Sequence, residues 1–203
     1  PKSNAAMKII KQWFESQNWK VQAFQKECWK AYAQGKSGML HAPTGSGKTY
    51  ALWGGIMEEI SKYETPPKGF HALWITPLRA LGIEIQKATQ KMLKDFNPEL
   101  QDGLRTADTP QSQRAKILKA PPFGLVSTPE RLHVLLGNKE HHKYFKEQRE
   151  VVVDEWHELL GSKRGVQVEL ALGYLRSFIP NLNVWCISAT IGNKKLAREV
   201  LLA

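Results

Sequence analysis

Five short apolar runs alternate with longer amphipathic stretches along the chain, and this alternation constrains the fold more than any other feature. The runs are residues 39–40, 72–75, 124–126, 151–153 and 184–187. Stretches such as 83–96 and 166–178 are amphipathic and long enough for helices. Buried strands that alternate with helices predict an α/β fold with a doubly wound, mostly parallel sheet. Ligands of such a sheet bind beyond the carboxyl ends of its strands.

Two further helices are predicted ahead of the first apolar run. One is expected over residues 5–17, and the other over 22–34, ending at Gly35. A chain of 203 residues is expected to form one domain. We therefore expect N-terminal helices within 1–35 and a core within 36–203.

The composition restricts the class of protein without identifying its partner. Hydrophobic residues make up 42% and charged residues 24% of the chain, as is usual for a soluble globular protein. No apolar run is long enough to cross a bilayer, and Cys28 and Cys186 have neither disulfide-framework nor metal-ligand spacing. A reducing cytoplasm fits this cysteine usage. The formal net charge of +10 fits simple solubility as well as a phosphate-rich partner.

A glycine-rich turn joins the first apolar run to a predicted helix. It reads Ala42, Pro43, Thr44, Gly45, Ser46, Gly47, Lys48, Thr49. We predict that the backbone N–H groups of 44–47 bind the phosphates of ATP at the helix N-terminus. Lys48 would reach the β- and γ-phosphates, and the Thr49 hydroxyl would hold Mg²⁺. The alternative is an ordinary glycine turn before a helix, because Ala42 stands where the general pattern has its first glycine.

Two carboxylates directly follow the fourth apolar run. They are Asp154 and Glu155, and Trp156 and His157 come next. A buried strand that ends in two carboxylates suits ATP hydrolysis, with Asp154 holding Mg²⁺ and Glu155 polarising the attacking water. An acidic pair that only solvates a turn is the alternative, and the phosphate-binding turn upstream argues against it.

Together these segments resemble the motifs of superfamily 2 DEXH-box helicases. Motifs I, Ia, Ib, II and III correspond to residues 42–49, 76–81, 127–132, 154–157 and 188–190. Trp156, His157 and the segment 158–169 are similar to the Lhr (large helicase-related) group. With its compact N-terminus, the chain looks most like the bacterial ligase-associated DEXH-box helicases.

The resemblance implies a RecA-like P-loop NTPase fold in which the strand of motif III lies between the strands of motifs I and II. Ser188 and Thr190 would then lie between the nucleotide and His157, a further implied catalytic residue, and would transmit the state of the γ-phosphate. The resemblance also implies that Gln25 reads the adenine edge. The alternative for Gln25 is an ordinary exposed helix residue.

Motifs Ia and Ib imply a surface that grips a single strand through its backbone. Arg79, Thr128 and Arg131 are the implied contacts, because hydroxyl groups and guanidinium groups can hold phosphates without reading sequence. The alternative for both arginines is a solvated residue or an ion pair. Ala107 departs from a family segment that often has glycine at this position, which puts a backbone contact there in doubt.

The implied activity is ATP-driven translocation on DNA and its unwinding, in the 3′-to-5′ direction and in DNA repair. The expected location is the bacterial cytoplasm, in association with the nucleoid. A second RecA-like domain and C-terminal domains are expected outside the given sequence. An RNA helicase and a nucleotide-gated nucleic-acid-binding module remain as alternatives, whereas a nucleoside-phosphate kinase would have no use for motifs Ia, Ib and III.

Overall fold

The computed structural model describes residues 7–43, 45–65 and 67–189. The elements in chain order are α1 (Lys8–Ser16), α2 (Ala23–Ala33), β1 (Gly38–His41), α3 (Lys48–Ile60), β2 (Ala72–Ile75), α4 (Arg79–Phe96), β3 (Asp102–Arg105), α5 (Gln111–Lys119), β4 (Gly124–Ser127), α6 (Pro129–Leu136), α7 (His141–Phe145), β5 (Glu150–Val153), α8 (Trp156–Leu159), α9 (Lys163–Phe178) and β6 (Asn183–Ser188). None of the helices in these ranges is long and apolar enough to span a bilayer.

The described strands form one parallel sheet in the order β1-β6-β5-β2-β4-β3. Helices α1 to α4 pack over one face, and α6, α8 and α9 pack over the other. Strands β2, β4 and β5 are buried along their whole length, as expected for a sheet covered on both faces. The predicted α/β, doubly wound sheet is therefore confirmed, and β6 lies between β1 and β5.

Strand β3 was not predicted from the sequence. Its residues Asp102, Gly103, Leu104 and Arg105 include types that are depleted in strands, and they contain no apolar run. The strand lies at the edge of the sheet and pairs only with β4 among the described strands. Its pairing with β4, and not its own propensity, fixes its conformation.

The strand order divides the functional edge of the sheet into two halves. All carboxyl ends of parallel strands meet at one edge, called the carboxyl edge below. The ends of β1, β6 and β5 form one half of this edge, and the ends of β2, β4 and β3 form the other half. The described residues of motifs I, II and III thus fall in the first half, and motifs Ia and Ib in the second.

The N-terminal helices pack closely against α3. Gly54 and Gly55 of α3 lie under the rings of Trp29 and Tyr32 of α2. Trp29 is 1% exposed, and its Nε1 donates to Tyr50 O at 3.2 Å. Helix α2 therefore packs directly on the first two turns of α3.

We expect Gly54→Ala to destabilise the protein, although alanine favours a helix over glycine by about 1 kcal/mol. The added methyl group would overlap Trp29 Nε1 and lie 3.0 Å from Ile10 Cγ1, and overpacking costs about 1–3 kcal/mol. Gly173→Ala in α9 is the matched control, because nothing would lie within 4 Å of its methyl group. That variant should gain roughly 0.5–1 kcal/mol. Urea unfolding measures the free energy of unfolding of both variants, and an equal change in the two would contradict this packing.

Candidate active site and adjacent groove

The turn between β1 and α3 depends on two glycines. Gly45 and Gly47 have φ angles of +76° and +85°, a left-handed conformation that side chains disfavour. Gly47 is the N-cap of α3, which begins at Lys48. The N–H groups of the first helical turn lack intrahelical partners and carry the positive end of the helix dipole. Thr44, predicted to bind phosphate, lies outside the described residues.

Gln25 is tied to this turn. Its side chain is 2% exposed, so the alternative of an ordinary exposed helix residue is wrong. Its Nε2 donates to Gly47 O at 3.2 Å, and its Oε1 accepts from Gln22 N at 2.9 Å. A Cβ atom on Gly47 would lie 2.7 Å from Gln25 Nε2. Gln25 thus both caps α2 and positions the phosphate-binding turn, while its contact with adenine stays a prediction.

The acidic pair after β5 has an unusual backbone. Glu155 has a φ angle of +50° and forms the N-cap of α8. A non-glycine residue in this region stores strain, which is common at functional sites. Its N–H donates to Asp154 Oδ1 at 2.8 Å, so the strained turn also orients its neighbour's carboxylate.

Asp154 is almost enclosed by protein. It is 4% exposed, and Trp74 Nε1 donates to its Oδ2 at 3.1 Å. Burial raises the pKa of Asp154 to about 6. The hydrogen bond from Trp74 lowers this pKa, the negative charge of Glu155 raises it further, and the Glu155 N–H and Lys48 also lower it. A carboxylate in this setting gains from a nearby cation. Sequence reasoning missed the role of Trp74, because an apolar strand position gives no sign that its ring nitrogen faces an aspartate.

The side chains of motifs I, II and III meet at the first half of the carboxyl edge. Lys48 Nζ lies 4.0 Å from Glu155 Oε1, and both side chains are largely buried. His157 Nε2 lies 3.3 Å from Glu155 Oε2, and His157 Nδ1 lies 3.3 Å from Ser188 Oγ. The described structure thus joins Lys48, Glu155, His157 and Ser188 in one polar chain. Thr190 lies outside the described residues.

The residues of the turn fit a triphosphate and a divalent cation. Ser46 Oγ is buried and has no hydrogen-bond partner among the residues that the structure describes. Lys48 points at the acidic pair from the helix N-terminus, where an anion would be stabilised. The hydroxyl of Thr49 and the carboxylate of Asp154 are oxygen donors of the kind that Mg²⁺ prefers.

A groove of about 560 Å³ occupies the second half of the carboxyl edge. It is lined by Pro77, Arg79, Ala107, Thr128, Glu130, Arg131, Val134 and Arg164. The structure therefore brings Arg79, Thr128 and Arg131 to one surface. Arg79 is 57% exposed and forms an ion pair with Asp108 at 3.0 Å, so the ion-pair alternative holds for it in this structure. Thr128 is only 4% exposed, and Arg131 is half-buried.

Arg164 holds the two walls of this groove together. Its Nη2 donates to Pro77 O at 2.9 Å and to Glu130 Oε2 at 3.3 Å, and its Nε donates to Glu130 Oε1. Burial raises the pKa of Glu130, but hydrogen bonds, first from Arg164, lower it below its usual range. Arg164 belongs to the segment 158–169, for which sequence reasoning gave no role. Its contacts span 87 and 34 positions and have no local signal.

The comparison with family models decides the family. Residues 22–198 match the model described as DEAD/DEAH box helicase. The chain belongs to this family. The predicted resemblance to superfamily 2 helicases is confirmed.

Relatives of this helicase domain include proteins of the Lhr group. The chain is 33% identical over 193 residues to the ATP-dependent helicase Lhr-Core of Sulfolobus acidocaldarius, covering 90% of the chain and 22% of that protein. It is 30% identical over 187 residues to the Lhr helicase/uracil glycosylase of Escherichia coli, covering 81% of the chain and 12% of that protein. The chain thus spans about a fifth or less of these relatives.

Solved structures of other helicases have the same fold as this domain. Mycobacterium smegmatis helicase Lhr bound to ssDNA and AMP-PNP superimposes with a TM-score of 0.83 and 28% identity, covering 95% of this chain and 26% of that chain. DEAD-box helicase Mss116, at 23% identity and a TM-score of 0.78, covers 89% of this chain and 38% of that chain and shares the fold. The predicted RecA-like fold and Lhr resemblance are therefore confirmed.

Proposed function

We propose that this chain is the ATP-binding motor domain of a DNA helicase, which couples ATP hydrolysis to translocation on a single strand and to unwinding. The observation that carries this proposal is the polar chain from Lys48 through Glu155 and His157 to Ser188. It lies at the same sheet edge as the arginine-lined groove. A motor must couple ATP hydrolysis to movement along the strand, and the shared edge places the phosphate site next to the strand-binding site.

Each residue of the polar chain has a separate task in hydrolysis. Lys48 and the N-terminus of α3 bind the β- and γ-phosphates, and Thr49 and Asp154 hold Mg²⁺. The bound ion neutralises charge that develops on the phosphate oxygens. Glu155 accepts a proton from the attacking water. His157 contacts Glu155 and Ser188 at the same time, so it can pass a change at the γ-phosphate to β6.

Adenine recognition falls to Gln25 in this proposal. Its Nε2 has a second N–H group and its Oε1 a second lone pair beyond the bonds already made. Because Gln25 also bonds Gly47 O, base binding and the shape of the phosphate turn would be linked. Trp19 and Phe24 are half-buried nearby in sequence and would flank the base.

The groove binds a nucleic-acid strand through phosphates in this proposal. Related Lhr was solved with ssDNA and Mss116 with ssRNA, so both nucleic acids are candidates, and DNA is the one we propose. Translocation from 3′ to 5′, a role in DNA repair within the bacterial cytoplasm and nucleoid, and the ligase-associated subgroup rest on the sequence resemblance. A second RecA-like domain would supply an arginine to the developing phosphoryl charge.

A nucleotide-gated binding module is the competing proposal from another class. It would use the same turn and groove without hydrolysis. The strained Glu155, held within 4.0 Å of Lys48, favours hydrolysis, since a binding module needs no general base.

An RNA helicase is the other competing proposal. Measured affinities for matched DNA and RNA single strands separate it from the DNA helicase, because a 2′-OH contact would favour RNA.

We expect Glu155→Gln in the full-length protein to keep ATP binding and to lose about 10²–10⁴-fold in turnover, the range for removal of a general base. Glu158→Gln is the matched control. Glu158 also approaches His157 Nε2, at 3.5 Å, but its side chain is 57% exposed. Steady-state ATPase assays with single-stranded DNA measure both variants. Equal turnover in the two variants would exclude Glu155 as the base.

We expect Arg79→Ala to weaken single-strand binding and to reduce the slope of log affinity against log salt by about 0.7, one phosphate contact. Asp108→Asn should strengthen single-strand binding, because Asp108 forms an ion pair with Arg79 at 3.0 Å that competes with a phosphate. Its release should raise affinity by roughly 2- to 5-fold, the range for an exposed ion pair. Fluorescence anisotropy over a salt series measures both, and changes of the same sign would contradict the assignment of Arg79.

A further inference from the structure

Arg105 is a buried arginine whose side chain forms no ion pair with the described residues. It ends β3 and is 6% exposed. Its Nε and Nη1 atoms are buried and have no hydrogen-bond partner among the residues that the structure describes. Buried charged groups in folded proteins are normally paired, so this side chain requires an explanation.

The neighbours of Arg105 make its position more costly. Burial lowers the pKa of Arg105, and the charges of Arg114 in α5 and Arg131 in α6 lower it further. Arg114 Nε is also buried without a partner in the described part of the chain. The charges of Arg114 and Arg131 thus add to the cost of burying Arg105, which is unfavourable unless an anion neutralises them.

Nearby carboxylates are committed to other arginines. Asp108 pairs with Arg79, and Glu130 pairs with Arg164. Carboxylates therefore neutralise the outer arginines of the groove, whereas the charges that act on Arg105 in the described structure come from arginines. A bound anion would balance the charge of this cluster.

The cluster lies next to the groove. Arg105 is in register with Ser127 of β4, and its carbonyl accepts from Thr128 N at 3.4 Å. Arg131 lines the groove and also acts on Arg105. The cluster therefore adjoins the wall that carries motif Ib, beside the proposed strand path.

We propose that Arg105, Arg114 and Arg131 form an anion site that takes one phosphodiester of the bound strand. This inference rests on the proposed strand binding in the groove and adds Arg105 and Arg114 to it. Guanidinium groups offer planar pairs of N–H donors that match phosphate oxygens. The strand phosphate supplies a negative charge that the described residues around Arg105 do not.

If this site exists, removing the Arg105 charge should keep or raise the stability of the protein and should weaken its binding to a single strand. In the full-length protein, Arg105→Met removes an uncompensated buried charge but keeps side-chain length. The unfolding temperature without nucleic acid should equal or exceed that of the parent. Affinity for a short oligothymidylate should fall by about 10-fold, as for a lost hydrogen bond to a charged group. Lys119→Gln, an exposed charge loss on α5, is the control and should leave affinity close to that of the parent.

A second arm identifies the phosphate as the ligand. Single phosphates of the oligothymidylate are replaced in turn by neutral methylphosphonate. One position should weaken binding to the parent by about 10-fold and should have no further effect on Arg105→Met. If Arg105→Met does not fold, Arg114→Met, at a half-buried residue, is tested in the same way.

The outcomes separate this site from the proposed function. A parent that does not bind single strands contradicts both. A parent that binds, with variants that bind equally well, overturns this site alone. Lower stability of Arg105→Met with unchanged affinity would make Arg105 a structural residue. A methylphosphonate profile that is the same in parent and variant would show that the cluster holds some other anion.

Discussion

The position of β6 between β1 and β5 is the constraint on which the active site depends. The two outer strands carry the phosphate turn and the acidic pair, so their separation is set by one intervening strand. Parallel strands lie about 4.8 Å apart, and side chains at their ends can therefore meet across the gap. Ser188 at the end of β6 fills this position and contacts His157 at 3.3 Å. His41 at the end of β1 contacts Ser188 O at 2.9 Å, so the ends of β1 and β6 are joined to each other and, through His157, to the helix that follows β5.

Three energetically costly features of the domain lie at this edge. Glu155 has a left-handed backbone, Asp154 is buried with a raised pKa, and Arg105 is buried beside two other arginines. Natural proteins keep such features mainly at functional sites, where binding offsets them. The aromatic packing behind the edge is conventional by comparison. Trp53 and Trp74 stack at 6.0 Å, and Trp74 also reaches Asp154, so the core directly supports the site.

The sequence was sufficient for features that are encoded locally. Apolar runs predicted five strands, and the glycines at 45 and 47 predicted a turn that only their positive φ angles permit. Features that arise from distant contacts were not predictable. Strand β3 forms because β4 accepts it, and Gln25 bonds a residue 22 positions away. Arg164 bridges two loops that are adjacent only after folding.

The central claim is that Lys48 binds the phosphates of ATP beside the acidic pair, and titration calorimetry with Mg²⁺ and ATP tests it most directly. Lys48→Ala is compared with Lys62→Ala, an exposed lysine just beyond the other end of α3. The account predicts that Lys48→Ala keeps the parent's unfolding temperature and loses about 10- to 100-fold in ATP affinity, as for a hydrogen bond to a charged group. Lys62→Ala should bind like the parent. Equal ATP affinity in the two variants would contradict the account.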